Sequence, residues 1–220
     1  MKLFFNLFFI LFFFSQSLPS KNFLAEYQIK TKGIKIGSLV WELEVAENYY
    51  KTFMQLRNKG FLSSLYKFKG EYNSEGEVIN NVFIPIEYNQ SWTTKKKSRD
   101  VKIVFNNQKV YELHLDPPEK ELPRIKYGDL EKYNDPLTSF INILLNDTPS
   151  HTIDGRRIYL MFPEKKKEHN KILIKEYANI WADHKRNDLE YLEIYQSQNS
   201  LLPKKINIKF KGYVFSLIKN

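Results

Sequence analysis

Four histidines are the first residues to test for chemistry in this chain, and none stands where a metal needs it. His114, His151, His169 and His184 have no spacing to one another, or to Asp or Glu, that would put two ligands on one helical face. They read as surface or loop residues, and neither a metal nor a cofactor is expected. Ser63 and Ser64 fall in GFLSSLY, which lacks the Gly-x-Ser-x-Gly elbow and offers no base, and a hydroxyl without a base is a poor nucleophile. The pair reads as a turn or helical corner leading into core residues Leu65, Tyr66 and Phe68. Asp154 and Gly155 precede Arg156 and Arg157, placing an acid beside two guanidiniums. An Asp-Gly followed by alternating Ile158, Leu160 and Phe162 is nevertheless the pattern of a turn entering a strand. Glycoside hydrolysis needs two carboxylates facing one cleft, and with 25 Asp and Glu residues chance pairs are abundant. A glycine-rich phosphate loop is absent from the sequence. No catalytic residue is assigned, and the chain reads as a non-enzyme.

The elements that would carry any site are mostly strands. In LVWELEV, Leu39, Trp41, Leu43 and Val45 share one face while Glu42 and Glu44 share the other; in INIKF, Ile206, Ile208 and Phe210 oppose Asn207 and Lys209. That period of two marks half-buried strands. Two such runs between Val101 and Leu115 flank Asn106 and Asn107, residues that tolerate the positive φ of a tight hairpin turn. Further turn signals stand at Ser74 to Gly76, Asp154 with Gly155, and Asn187 with Asp188. Strands follow one another without helix-length crossovers, so the sheet should be antiparallel.

Two stretches depart from this. Residues 116–135, DPPEKELPRIKYGDLEKYND, are rich in Pro and charge without a period, which suggests a surface excursion acting as a lid or flap. The helix that follows is signalled by Asp135 as a cap and Pro136 at the first helical position. Leu137, Phe140, Ile141 and Leu144 recur at i, i+3, i+4, i+7 with Leu145 at the margin. So short a helix is marginal in water and must be held by packing. The expected fold is therefore all-β: one long curved antiparallel sheet, half-open or closed like a barrel, with the helix on its concave face. Contacts to a ligand in that concavity are expected from Leu137, Phe140, Ile141 and Leu144, with Trp41 and Tyr66 on the sheet. The competing reading has the helix fill the concavity as ordinary core.

The first residues, MKLFFNLFFILFFFSQS, have the layout of a secretory signal peptide: one Lys, an apolar run from Leu3 to Phe14, then small polar residues. Cleavage is expected after Ser17, with Ser20 as the alternative, which leaves about 200 residues as a single β-rich domain over 18–220. A retained anchor is the weaker reading, because the run falls short of the roughly 20 residues a spanning helix needs. Zero cysteines remove both a disulfide framework and a lipid-modified cysteine. A periplasmic location follows. Loss of Lys2 takes the formal net charge from +9 to about +8. The lysines are scattered, with runs only at Lys95–Lys97 and Lys165–Lys167, which fits solubility and edge protection better than a nucleic-acid stripe.

Tyr27 with KGIKIGSLVWEL, then GFLSSLYKFKGEYNSEG, Pro85 with Tyr88, DPLTSFINILL, and DGRRIYLMF with LPKKINIKF resemble, in that order, the bacterial exported family called domain of unknown function 3108. The resemblance spans nearly all of the chain after the leader and departs in the lysine-rich loops and low glycine content. It implies a curved, incompletely closed sheet like those of periplasmic lipoprotein carriers, and it brings no catalytic residues. The leading expectation is a binder of an acyl chain or other hydrophobic molecule under the helix. The alternative is an envelope-assembly or interaction factor with a filled core, touching an anionic envelope surface through its lysines; an uncharacterised hydrolase comes third. Nucleic acid is not expected as a partner.

Overall fold

The computed structural model describes residues 20–58, 68–181, 188–197 and 200–220; the expected leader with its Ser17 cleavage site, and Ser63, Ser64 and Tyr66, lie outside them. Among the described residues the strands are β1 (Lys21–Thr31), β2 (Ile34–Val45), β3 (Tyr49–Asn58), β4 (Phe68–Ile79), β5 (Val82–Thr94), β6 (Ser98–Asn106), β7 (Lys109–Asp116), β8 (Ser150–Ile153), β9 (Arg157–Lys165), β10 (Asn170–Asn179), β11 (Leu189–Ser197), β12 (Ser200–Phe210) and β13 (Tyr213–Lys219). They form one sheet in the order β7-β6-β5-β4-β3-β2-β1-β13-β12-β11-β10-β9-β8. Every neighbouring pair is antiparallel, as a chain of turn-linked strands dictates. The first and last strands meet in the middle of the sheet, with Tyr27 opposite Lys219.

The alternation sets which side faces in. Leu39, Trp41 and Leu43 are buried while Glu42 is exposed. On β9 the buried residues are Tyr159 and Met161, so the inward parity is opposite to that of Ile158, Leu160 and Phe162. The β6–β7 turn uses Asn107 and Gln108, both at positive φ, one residue later than expected. Ser74 to Gly76 is no turn at all: it lies within β4, where a bulge follows Glu75. A Cβ on Gly76 would come within 2.0 Å of the Ile84 carbonyl oxygen, so glycine here serves close backbone approach. Asp154 and Gly155 do form the expected turn, with Gly155 at φ 90°.

The sheet coils without closing by its own strands. Its edges, β7 and β8, are spanned by the segment expected to be a surface lid or flap: it runs over the surface as expected, but its later half, residues 124–134, is tied to the fold by backbone bonds. Lys132 N–H donates to the Gln108 carbonyl at 2.7 Å, Asn134 N–H to His151 at 2.9 Å, and Arg124 N–H to Ile180 at 2.7 Å. A parallel bridge pairs Asn134 with Thr152. Ile125, Tyr127, Leu130 and Tyr133 pack half-buried against the core. A polar, proline-rich stretch can do this because it needs only isolated backbone bonds to blunt two open edges.

The helix α1 (Pro136–Asn146) begins as its sequence requires. Asp135 accepts from the backbone N–H groups of Leu137 and Thr138. Its apolar residues Leu137, Phe140, Ile141 and Ile143 are buried, but so are Thr138, Ser139 and Asn142. Such all-round burial means that α1 lies inside the barrel. Ser139 Oγ accepts from Ser150 and Thr152 on β8 at 3.0 and 2.7 Å. Asn142 does a strand's work: its side chain accepts from Phe83 N–H and donates to Phe83 C=O, each at 2.8 Å. The β5–β6 register starts only at Glu87 opposite Val104, so Phe83 lacks a strand partner there. Replacing Asn142 with Leu leaves two buried backbone groups unpaired, and a loss of about 2–3 kcal/mol is expected by urea denaturation. A change below about 0.5 kcal/mol would show that water takes over both bonds.

Candidate functional site

The C-terminal end of α1 plugs one end of the barrel. Asn146 donates to the Asn81 carbonyl in the β4–β5 turn at 3.0 Å, and Asp147 pairs with Lys165 at 2.8 Å. The N-terminal end stops partway, leaving a cavity of about 1080 Å³ toward the opposite end. The register builds its wall in layers. Beneath the cavity lie Thr52, Ser74, Tyr88 and Ile103; its lining starts with Met54, Tyr72, Gln90 and Val101, and Leu56, Trp92 and Arg99 stand outermost, with Gly70 between Leu56 and Trp92 in register. Across from them stand Tyr159 and Met161 of β9, Ile206 and Ile208 of β12, Phe215 and Leu217 of β13, and Ile29 of β1. Period two explains this: one face of each strand supplies the wall, and apolar residues dominate that face because most of it is core.

The floor is a buried polar network behind the helix start. Asp135, fully buried, accepts from Leu137 N–H at 2.9 Å, Thr138 N–H at 3.1 Å, Ser74 Oγ at 2.8 Å and the Thr138 hydroxyl. The Tyr50 hydroxyl joins Thr138 at 2.6 Å and Ser74 at 3.2 Å. Burial raises the Asp135 carboxyl above the usual carboxylate range even though these donors pull it down. Burial also pushes the Tyr72 phenol up to about 12 and holds Tyr159 well above its ordinary value, so both are neutral near pH 7 and the cavity wall gains no negative charge from them.

Charge gathers at the mouth. Asp154 accepts from the backbone N–H of Arg156 and of Arg157, at 3.0 and 2.8 Å; burial, the largest influence, raises its carboxyl, opposed by Arg157. Arg156 Nε donates to Glu119 at 2.6 Å, and Lys211 stands 3.7 Å from Asp188. Arg57 borders the cavity but shares the outward register with Gln55, beside Glu71. Arg99 shares the inward register with Val101 and Ile103.

Of the residues expected to meet a ligand, Leu137 and Phe140 line the cavity. Ile141 is fully buried and Leu144 half-buried in the core cluster that also holds Trp41; Trp41 donates from Nε1 to Thr52 Oγ1 at 2.9 Å and packs on Phe140 at 5.6 Å. Leu56, Met54, Gln90, Trp92 and Arg99 were not singled out by sequence reasoning. A signal existed for Arg99: in SRDVKIVF it continues the face of Val101, Ile103 and Phe105 outward by two residues. Among the described residues no group of three His, Asp or Glu side chains converges as a metal site would need, and no helix is long and apolar enough to cross a membrane.

A coiled, unclosed antiparallel sheet with an internal helix and a deep apolar cavity defines a barrel-like protein. The chain belongs to the family described as "Protein of unknown function (DUF3108)", whose model matches residues 26–161. It is similar in fold to a crystal structure from Brucella abortus, a β-barrel-like protein of domain of unknown function DUF1849, at a TM-score of 0.51 and 9% identity, covering 90% of this chain and 95% of that one. No curated protein matches the chain.

Proposed function

We propose that this protein is a non-enzymatic periplasmic binder of a hydrophobic or amphipathic molecule, an acyl chain or lipid, held in the barrel beside the helix. The observation that carries this reading is the cavity of about 1080 Å³ that α1 leaves unfilled. Ligand pockets are mostly apolar concavities with a few polar groups, of about 300–1,000 Å³, and this one has such a lining and lies just above that range in size. The leader-like first residues support export. The groups at the mouth support binding over catalysis: Asp154 is occupied by backbone donors, and Asp188 has a lysine beside it.

Two measurements test the proposal. Organic extraction of protein purified from its native envelope should release a stoichiometric lipid on mass spectrometry. In solution, the neutral fluorophore N-phenyl-1-naphthylamine should bind the delipidated chain, and Leu56→Arg should weaken it about tenfold or more. Leu56 is half-buried at the outermost layer, so the new guanidinium reaches water and the far-UV spectrum should be unchanged. Uptake should survive high salt, because apolar burial is not screened. A clean extract together with no uptake, or uptake indifferent to Leu56→Arg, would defeat the reading.

A further inference from the structure

Among the described residues, Arg99 is a cation of the cavity mouth that lies in the inward register and has no ion-pair partner. The acids there are each engaged: Asp154 by the Arg156 and Arg157 backbone N–H groups and by the Arg157 guanidinium at 3.8 Å, Glu119 by Arg156, and Asp188 by Lys211. No carboxylate lies within ion-pair distance of Arg99 among the described residues. The turn carrying Arg156 and Arg157 reaches the same side of the mouth, since a Cβ on Gly155 would come within 2.5 Å of Val101 Cγ1, and Val101 is the next inward residue after Arg99. Gln90 stands opposite Val101 in register. Its Oε1 accepts from the Tyr88 hydroxyl at 3.1 Å, which leaves its amide N–H groups to donate. Trp92 flanks Arg99 in the outermost layer and Val101 flanks Gln90 in the next, and below them Leu137 and Phe140 keep the lining apolar.

We infer that the cavity takes an anionic amphiphile, its carboxylate or phosphate head bound by Arg99 with Gln90 beside it and its tail running down to the helix start. This rests on the ligand-binding reading above and adds the chemistry of the head group. Arginine suits the role because its planar fork pairs with both oxygens of a carboxylate or phosphate, which an ammonium cannot do. A positively charged head would meet Arg99, Arg156 and Arg157 without an available acid.

The test uses chain-matched ligands displacing N-phenyl-1-naphthylamine from the full exported chain: dodecanoate, dodecyl phosphate, dodecanol and dodecyltrimethylammonium. One or both anions should compete about tenfold more strongly than the alcohol, and the ammonium more weakly. Which anion wins separates a fatty acid from a phosphorylated lipid. Arg99→Gln should abolish the preference, and Arg99→Lys should keep part of it, the preference being read within each variant as the ratio of anion to alcohol competition, with an unchanged far-UV spectrum reporting that both are folded. If alcohol and anions compete equally in the natural chain, or the preference survives Arg99→Gln, the head-group site is wrong although the cavity reading stands. If the fluorophore itself does not bind, the cavity reading fails and takes this inference with it.

Discussion

Replacing Asp135 with alanine should lower the unfolding free energy by about 3 kcal/mol or more, combining a lost helix cap with buried hydroxyl donors left without an acceptor. The carboxylate is fully buried and receives four donors, two from the first turn of α1 and two from the Ser74 and Thr138 side chains. Losing it frees the helix start from β4, and with it the floor of the cavity. Asp135→Asn separates the charge from the cap, since an asparagine oxygen still accepts from the backbone. The pH dependence has a definite sign. Burial raises the folded pKa of Asp135 above the ordinary aspartate value of 3.8, so the folded state holds this proton more tightly than the unfolded one. The stability this contributes is complete below about 3.8 and is lost as pH rises through the folded pKa. Relative to Asp135→Asn, the natural chain should therefore lose stability as pH climbs from about 4 toward neutrality. Urea denaturation of both proteins across that range reads the difference; a gap that moves the opposite way would mean that the hydroxyl and N–H donors outweigh desolvation.

The second large effect is expected at Phe140. Its ring is 6% exposed and packs against Trp41 at 5.6 Å, so Phe140→Ala should cost about 3–5 kcal/mol through lost transfer energy and the space left behind. Phe140→Leu should cost well under half of that, because more of the volume is retained. Phe140 belongs to the core and to the cavity lining at once, so the alanine variant should be destabilised yet still bind the neutral fluorophore, with the floor now deeper. Denaturation and a fluorescence titration on the same sample check both parts. A loss below about 1 kcal/mol would mean that the helix is not held by this contact.

The two predictions describe opposite ends of one compromise. A helix placed inside a barrel can fill it completely, and then the interior is ordinary core. Here α1 occupies the end near the β4–β5 turn and stops at Asp135, where a buried carboxylate and three hydroxyls replace the apolar packing that would otherwise continue. A single buried charge without a cation is costly. Its donors make it tolerable, and the polar layer fixes where the plug ends and the cavity begins.

Much of this was legible in the chain itself. Alternation such as Leu39, Trp41 and Leu43 against Glu42 determined strands with one apolar face, and turn chemistry with no crossover determined antiparallel order. Asp135 followed by Pro136 and the apolar spacing after it determined the helix, because caps and periodicity act over a few residues and local sequence carries them. Local sequence could not say that the Tyr27 hydroxyl donates to Pro203, 176 positions away, that β1 lies beside β13, or that residues 130–134 span two open edges. Those follow from which distant faces bury the most apolar surface together, a property of the whole chain. Ser74 to Gly76 looked like a turn because glycine signals one locally, whereas the carbonyl of Ile84 decided its use. Arg99 became notable only once the register set it above Val101 and the fold brought the turn of Arg156 and Arg157 to the same rim. Tertiary structure alone decided that an alternating cation on one strand stands at the mouth of an oily chamber.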